Sequence, residues 1–215
     1  MSVGAPFAGD PAAIEQGRRL FAADSRFAAA ADRAAALPAE RLPEVAFFGR
    51  SNVGKSSLLN ALTGRRGLAR VSRTPGRTRA INFFAVGDRL TLVDLPGYGY
   101  AAVARAEARR WGETVKSYLA RRGVLKGATL LIDARHGLKE SDRLALDLLA
   151  HYAVSVLTVL TKADKLAPAE RSAQIAATAA ALARYPNVFP AVLATSAATG
   201  FGIPELRALL ATLAS

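Results

Sequence analysis

The sequence predicts an α/β fold in three layers: a mostly parallel six-stranded sheet with one antiparallel strand, covered by helices on both faces. Short apolar runs at Val45-Ala46-Phe47-Phe48, Ala128 to Ile132, Val154 to Leu160 and Val188 to Leu193 have the length and composition of buried strands. Helical stretches around 105–121, 140–151, 169–184 and 204–213 alternate with them, and that alternation builds a parallel sheet covered on both sides. The third observation is a hairpin signature, Ala80 to Val86, Gly87-Asp88 and Arg89 to Val93, with a glycine turn between two apolar runs.

Taken in order, residues 1–40 read as an N-terminal extension, helical and partly mobile. Asp10-Pro11 is a good helix start, with Ile14, Leu20 and Phe21 following at helical spacing. A second helical segment is expected over the alanine-rich run from Phe27 to Leu37, broken by Pro38 and Pro43. The domain proper is expected over 41–215. Its first strand runs into Gly49-Arg50-Ser51-Asn52-Val53-Gly54-Lys55-Ser56, which fits GxxxxGKS, and Ser57 to Leu62 then begins a helix ended by Gly64. Strand, glycine loop and helix are the context that the phosphate-binding loop requires. Its glycines let backbone N–H groups close around phosphates, Lys55 reaches the outer phosphates as a point charge, and Ser56 offers its hydroxyl to Mg²⁺. The domain is therefore expected to be a P-loop NTPase.

In open α/β sheets ligands lie beyond the carboxyl ends of the strands, and the remaining motifs fall at such ends. Asp94-Leu95-Pro96-Gly97 follows a strand and matches DxxG. Asp94 is suited to hold a Mg²⁺ water, and the Gly97 N–H to sense a γ-phosphate. Thr161-Lys162-Ala163-Asp164 follows the next-to-last strand and fits [NT]KxD. Asp164 would accept two donors from the guanine edge, an arrangement that adenine does not offer, and a buried acceptor left unpaired is costly. Lys162 would lay its stem over the base and bridge toward the phosphate loop. Thr195-Ser196-Ala197, after the last strand, matches the SA-type element whose backbone N–H groups meet guanine O6. In this order and spacing the motifs predict a Ras-like G domain that binds GTP and GDP.

A GTPase also needs a switch threonine ahead of the hairpin, to reach Mg²⁺ with its hydroxyl and the γ-phosphate with its N–H. Thr74 and Thr78 both qualify, and the Pro75-Gly76 turn favours Thr78. The stretch Gly76-Arg77-Thr78-Arg79-Ala80 is accordingly expected at the nucleotide. Lys55, Asn52, Thr78 and Gly97 are the candidates for assisting hydrolysis. Tyr98 stands where Ras-like enzymes carry the glutamine that orients water, so slow intrinsic turnover is expected, with stimulation by a partner. Asn52 occupies the loop position at which potassium-activated GTPases place an asparagine, so K⁺ is a candidate for stabilising developing phosphate charge.

Charge is unevenly spread. Of the 29 basic residues, seventeen lie in residues 41–126 against five acids, while the segments on either side are close to neutral. Arg65, Arg66, Arg70, Arg73, Arg77 and Arg79 follow one another without an intervening acid. Such density suits a polyanion, and nucleic acid is the expected partner. No apolar run approaches the ~20 residues that span a bilayer, and the chain has no cysteine. A cytoplasmic monomer that does not insert into membranes is expected.

The stretches GRSNVGKSS (49–57), TPGRT (74–78), INFF (81–84), DLPGYGYA (94–101), IDARHG (132–137) and TKADKL (161–166) together resemble the EngB family, also called YihA or YsxC. These are small bacterial GTPases of the TRAFAC class, in the TrmE-Era-EngA-EngB-Septin-like superfamily. The resemblance implies GTP and Mg²⁺ at the motif positions, with Ser56, Thr78 and Asp94 around the metal. It also implies a role in assembly of the large (50S) ribosomal subunit, on the precursor particle and its rRNA, and a requirement in cell division and septation. A G domain acting in tRNA modification, similar to that of MnmE, and a septum-associated interaction protein are the alternatives. Asp133 is expected to cap its strand rather than brace the switch after DxxG. Tyr98, Tyr100 and Trp111 are expected to pack that switch rather than stack on RNA, and His136 to sit in a polar loop.

Overall fold

A computed structural model describes residues 10–70, 80–98 and 105–214, with the side chains of 105–111 excepted. In chain order the elements are α1 (Pro11–Ala22), β1 (Ser25–Ala31), β2 (Glu44–Gly49), α2 (Lys55–Thr63), β3 (Ile81–Val86), β4 (Leu90–Asp94) and α3 (Arg105–Arg121). They continue with β5 (Leu125–Asp133), α4 (Glu140–His151), β6 (Val156–Thr161), α5 (Pro168–Leu182), β7 (Val188–Ala194) and α6 (Ile203–Thr212). The strands form one sheet in the order β1-β3-β4-β2-β5-β6-β7. Strand β3 pairs antiparallel with both neighbours, and the other pairings are parallel. It is the single reversed strand that the hairpin signature predicts, and Gly87 turns it with φ 53°.

Two apolar cores sandwich the sheet. On one face Val115, Tyr118 and Leu119 of α3, Leu146 and Leu149 of α4 and Leu182 of α5 cover Ala46, Phe48, Leu130 and Ile132. On the other, Leu20 and Phe21 of α1, Leu58 and Leu62 of α2 and Leu206 and Leu210 of α6 cover Val45, Phe47, Leu131 and Val159. Residues of β2 alternate between the two cores, as the period of a strand dictates. From β2 the chain crosses to β4 on one side and, after α3, to β5 on the other. The end of β2 therefore lies where successive crossovers diverge, the ligand crevice of open α/β sheets.

One expectation fails in the N-terminal region. Residues Phe27 to Leu37 do not form a helix: Ser25–Ala31 is strand β1, paired with β3 through a bulge between Phe27 and Ala29, and only Ala34–Ala36 makes a single 3₁₀ turn. The sheet accordingly has seven strands rather than six. Alanine's helix preference is worth under ~1 kcal/mol per residue. Here it yields to the backbone partners along β3 and to the edge-on packing of Phe27 on Phe84, 6.0 Å between ring centres.

Helix α1 begins as expected, with the Asp10 carboxylate accepting from the N–H groups of Ala12 and Ala13 at 3.0 and 3.2 Å. It crosses α6 closely at Gly17, where a Cβ would come within 2.5 Å of the Ala208 nitrogen. From α6, Arg207 donates to the carbonyls of Leu62 and Ala61 at 2.8 and 3.1 Å, closing the carboxyl end of α2 with a cation as the helix dipole favours. Gly64 ends that helix in the left-handed region, φ 64°. The helix behind the phosphate loop is thus held at its far end by α6, and α6 by α1.

A buried ion pair fixes the opposite rim of the sheet. Arg122 donates twice to Glu44 at 2.9 and 2.6 Å, Tyr118 adds a third bond at 3.0 Å, and Arg122 also reaches the Pro38 carbonyl at 2.6 Å. Both charged side chains are at most 5% exposed. Glu44→Ala is expected to cost about 3–5 kcal/mol of stability in urea unfolding, because it leaves a guanidinium buried without a counter-charge. Asp24→Ala, which removes the exposed pair with Arg65, is expected to cost under about 1 kcal/mol in the same measurement.

Candidate functional site

The phosphate loop leaves β2 at Gly49, where no side chain fits: a Cβ would lie 2.9 Å from Val53 Cγ1 and 3.1 Å from Leu131. Asn52 follows with φ 63° and Gly54 with φ 104°, a local conformation that glycine and asparagine adopt most readily. The left-handed turn at Asn52 is a backbone reason for asparagine there. Ser51 and Val53 direct their N–H groups to the carbonyls of Tyr98 and Arg50 at 3.1 Å each. Helix α2 then starts without a side-chain cap, so its first N–H groups face the loop, the usual arrangement at an anion site. Lys55 is buried and its ammonium pairs with Asp94. Both side chains lie at the mouth of the loop, and the pair satisfies two charges that would be costly to bury singly.

The DxxG stretch is laced to the same loop. Leu95 donates to Phe47 at 3.1 Å, Tyr98 to Gly49 at 3.3 Å, and Ser51 to Tyr98 at 3.1 Å, continuing the parallel pairing of β2 with β4 past the strand ends. Gly97 sits directly against Ser51: a Cβ would meet its N, Oγ and Cα at 3.1–3.2 Å. Tyr98 turns away from the loop, with its ring 5.1 Å from Phe48 and its hydroxyl donating to Asp142 Oδ1 at 2.8 Å. The other Asp142 oxygen accepts from the Lys139 N–H at 2.8 Å and caps α4. Burial raises the pKa of both groups, and the Asp142 carboxylate pushes the phenol further up. Tyr98 therefore packs against β2 and bonds to α4.

The third group of residues closes over the loop from β6. Thr161 donates through Oγ1 to the Val53 carbonyl at 2.6 Å. Lys162 adopts φ 58° and sends its ammonium to the Asn52 carbonyl at 2.7 Å and to Asp133 Oδ2 at 2.8 Å. Its Cε lies 3.6 Å from where a Gly54 Cβ would be, so the stem runs over the loop and bridges it, as its motif predicts. Asp164 accepts from the Ser196 hydroxyl at 2.6 Å, a bond that lowers its pKa. Gly54, Thr161, Lys162, Asp164, Lys165, Thr195, Ala197 and Ala198 line a cleft of about 180 Å³.

The Thr195-Ser196-Ala197 element follows β7, and two of its three N–H groups are already bonded within the fold. The N–H of Thr195 bonds Leu160 at 2.7 Å and that of Ser196 bonds Phe201 at 2.8 Å. Ala197 carries the one N–H of the three without a partner among the described residues. The structure brings together Gly49 to Ser56, Asp94 to Gly97, Thr161 to Asp164 and Thr195 to Ala197. Ala80 precedes β3. Thr74, Gly76, Arg77, Thr78, Arg79 and Tyr100 lie outside the described residues, as does the Trp111 side chain.

The pattern around Asp133 predicts only a strand cap, and the structure adds side-chain partners on both sides. Its Oδ1 does accept from the Arg135 N–H at 3.1 Å, capping the turn after β5. The carboxylate also binds the Arg135 guanidinium at 2.9 and 2.7 Å and the Lys162 ammonium. Burial works to raise its pKa, but the bonds from Arg135 and Lys162 outweigh it and hold the carboxyl well below the usual range. Asp142 gave a fainter signal, an acid three residues into a helix and so a capping candidate. Nothing local ties either residue to the loops they serve, because both partners are distant in sequence.

A phosphate loop after a central strand, a DxxG stretch laced to it and a TKxD element closing over it define a GTPase of the P-loop class. Residues 44–162 match the family model described as 50S ribosome-binding GTPase. The chain is 49% identical over 210 residues to the probable GTP-binding protein EngB of Roseobacter denitrificans, covering 97% of each chain. To that of Caulobacter vibrioides it is 52% identical over 200 residues, 93% of this chain and 87% of the other. The chain belongs to the EngB family of GTP-binding proteins. A crystal structure of a probable GTP-binding protein engB overlays 80% of this chain and 98% of its own with TM-score 0.62 at 22% identity, a likeness of fold.

Gly97→Ala tests the contact between DxxG and the phosphate loop. The added methyl presses on Ser51, and displacing well-packed backbone costs about 1–3 kcal/mol. Affinity for GDP and GTP is expected to fall about tenfold together, measured by displacement of a fluorescent nucleotide. Unchanged affinity would mean that the loop gives way freely.

Proposed function

We propose that this protein is a slow GTPase that acts as a nucleotide-dependent switch in assembly of the large ribosomal subunit and is needed for normal cell division and septation. The observation that carries the reading is the convergence of three sequence-distant motifs on one cleft, with Lys162 and Thr161 bonded directly to the phosphate loop. The matching family model, described as 50S ribosome-binding GTPase, favours a ribosomal partner. So does the basic segment after the loop, where Arg65, Arg66 and Arg70 are exposed.

In this reading the N–H groups at the start of α2 and the Lys55 ammonium receive the phosphates, Lys55 exchanging its pairing with Asp94 for the bound nucleotide. Ser56, Asp94 and Thr78 supply oxygens to Mg²⁺, a donor set of hydroxyls and a carboxylate that suits a hard cation. Such a metal would supply positive charge that offsets the charge of the phosphates. Gly97 senses the γ-phosphate. Asp164 accepts the two guanine donors, with Ser196 holding one of its oxygens, and Ala197 donates to guanine O6. Tyr98 is bonded to Asp142 and packed at a tilt against Phe48, so it does not orient water, and turnover without a partner is slow. The Asn52 side chain is exposed beside the loop and available to K⁺. The protein works as a cytoplasmic monomer on the precursor particle and its rRNA.

Asp164→Asn is expected to exchange base preference. An amide still accepts the N1–H but donates where guanine also donates, whereas xanthine presents a carbonyl there. Guanine affinity should fall at least about 100-fold while xanthine nucleotides gain, as read by titration with GDP and XDP. Sedimentation with large-subunit precursors, compared between GDP and a non-hydrolysable GTP analogue across a salt series, tests the ribosomal role. Association should strengthen with the analogue, and Arg66→Glu with Arg70→Glu should weaken it while GDP affinity stays within about twofold. No dependence on nucleotide would overturn the proposal. Single-turnover hydrolysis should be faster in K⁺ than in Na⁺; equal rates, with and without the partner, would remove K⁺ from the scheme.

A further inference from the structure

We propose that Asp133 is a positioning residue for the guanine nucleotide: it holds the Lys162 ammonium against the phosphate loop and so fixes the base-reading element relative to the phosphate cradle. The inference rests on the assignment of Thr161 to Asp164 as the base reader.

The sheet itself places the carboxylate. Asp133 is the last residue of β5 and pairs in register with Thr161, so it lies beside the residue that precedes Lys162. Its own position is fixed from the other side. Arg135 grips both oxygens, through Nε at 2.9 Å and Nη2 at 2.7 Å, and the Arg135 N–H adds a bond to Oδ1 at 3.1 Å. A carboxylate held by a planar guanidinium and a turn N–H has little freedom to follow a moving lysine.

Lysine is a flexible chain with a point charge at its tip. Here its tip is bonded on two sides, to Asp133 Oδ2 at 2.8 Å and to the Asn52 carbonyl at 2.7 Å. The backbone at both ends of this bridge is in the left-handed region, φ 58° at Lys162 and φ 63° at Asn52, where non-glycine residues need support from their surroundings. The carbonyl alone is a neutral acceptor. Asp133 supplies the opposite charge in a partly shielded setting, its side chain 12% exposed, where ion pairing is less screened than at the surface. Remove that charge and the ammonium is free to leave for solvent, the Asn52 carbonyl loses its donor, and the stem over Gly54 is no longer ordered. Arg135 is the support of Asp133 and does not itself reach Lys162 or the loop.

The test is a double-mutant cycle on the full chain, reading GDP dissociation constants and release rates with a fluorescent GDP analogue and unfolding temperature without nucleotide. Asp133→Asn and Asp133→Ser are each made alone and in Lys162→Ala; either that unfolds in a single transition carries the cycle. In the otherwise native protein the Asp133 substitution should raise the GDP dissociation constant about 10- to 100-fold, the scale of a lost charged hydrogen bond. In the Lys162→Ala background it should add less than about twofold, because the group it acts through is gone. Arg135→Ala, which leaves the Asp133–Lys162 pair in place, should change affinity by less than about threefold. Equal losses in the two backgrounds, or a loss below twofold in the native background, would overturn the proposal. Lys162→Ala and Asp164→Ala that both bind GDP as tightly as the native protein would instead overturn the base-reader assignment.

Discussion

Strand β2 is enclosed on both edges by parallel neighbours and on both faces by apolar cores, and none of Val45, Ala46, Phe47 and Phe48 is more than 5% exposed. It cannot slide by one residue without exchanging its two faces between cores of different shape. The position of Gly49, where the chain leaves the sheet, is therefore fixed to within the tolerance of close packing. Parallel neighbours carry the consequence outward. Strands β4, β5 and β6 run the same way and end on the same rim, which delivers Asp94, Asp133 and Thr161 to the loop that β2 sets.

A loop that starts from a fixed point still has to hold a sparsely populated shape. Left-handed backbone at a non-glycine residue costs roughly 1–2 kcal/mol, less at asparagine. Asn52 and Lys162 both adopt it, and they face each other across the site. The bonds from Thr161 Oγ1 and Lys162 Nζ to the loop carbonyls of Val53 and Asn52 offset that cost. The loop's own sequence permits the conformation, and β6 selects it. On the other flank, Gly97 against Ser51 and the bonds exchanged among Gly49, Ser51 and Tyr98 mean that the loop and the DxxG stretch cannot move independently. Tyr98 extends this unit to α4 through its bond to Asp142.

The motif residues were legible because each answers to a local rule. A glycine-bounded turn between strand and helix, an acid closing a strand and a short polar run after another strand are all contiguous patterns. The capping of α1 by Asp10 and the stop of α2 at Gly64 were legible for the same reason. Strand β1 was not. Its alanines carry a helix preference, and what overrides it is the edge of β3, fifty or more residues away. Asp133 and Asp142 were half legible: their capping bonds lie within three residues, while their bonds to Lys162 and Tyr98 span 29 and 44 positions.

The sequence by itself determined the α/β class, the phosphate loop, the TKxD element at the end of its strand and the single reversed strand, because periodicity and short motifs are set by neighbours along the chain. Tertiary structure decided the rest. It turned an alanine-rich segment into a seventh strand and drew α1 onto α6 where Gly17 allows the approach, and among the described residues it left the Ala197 N–H without a partner. It also placed Asp133 behind Lys162 and Asp142 behind Tyr98. These are pairings across the sheet, and they exist only once β2 is buried and its parallel neighbours have brought their ends to one rim.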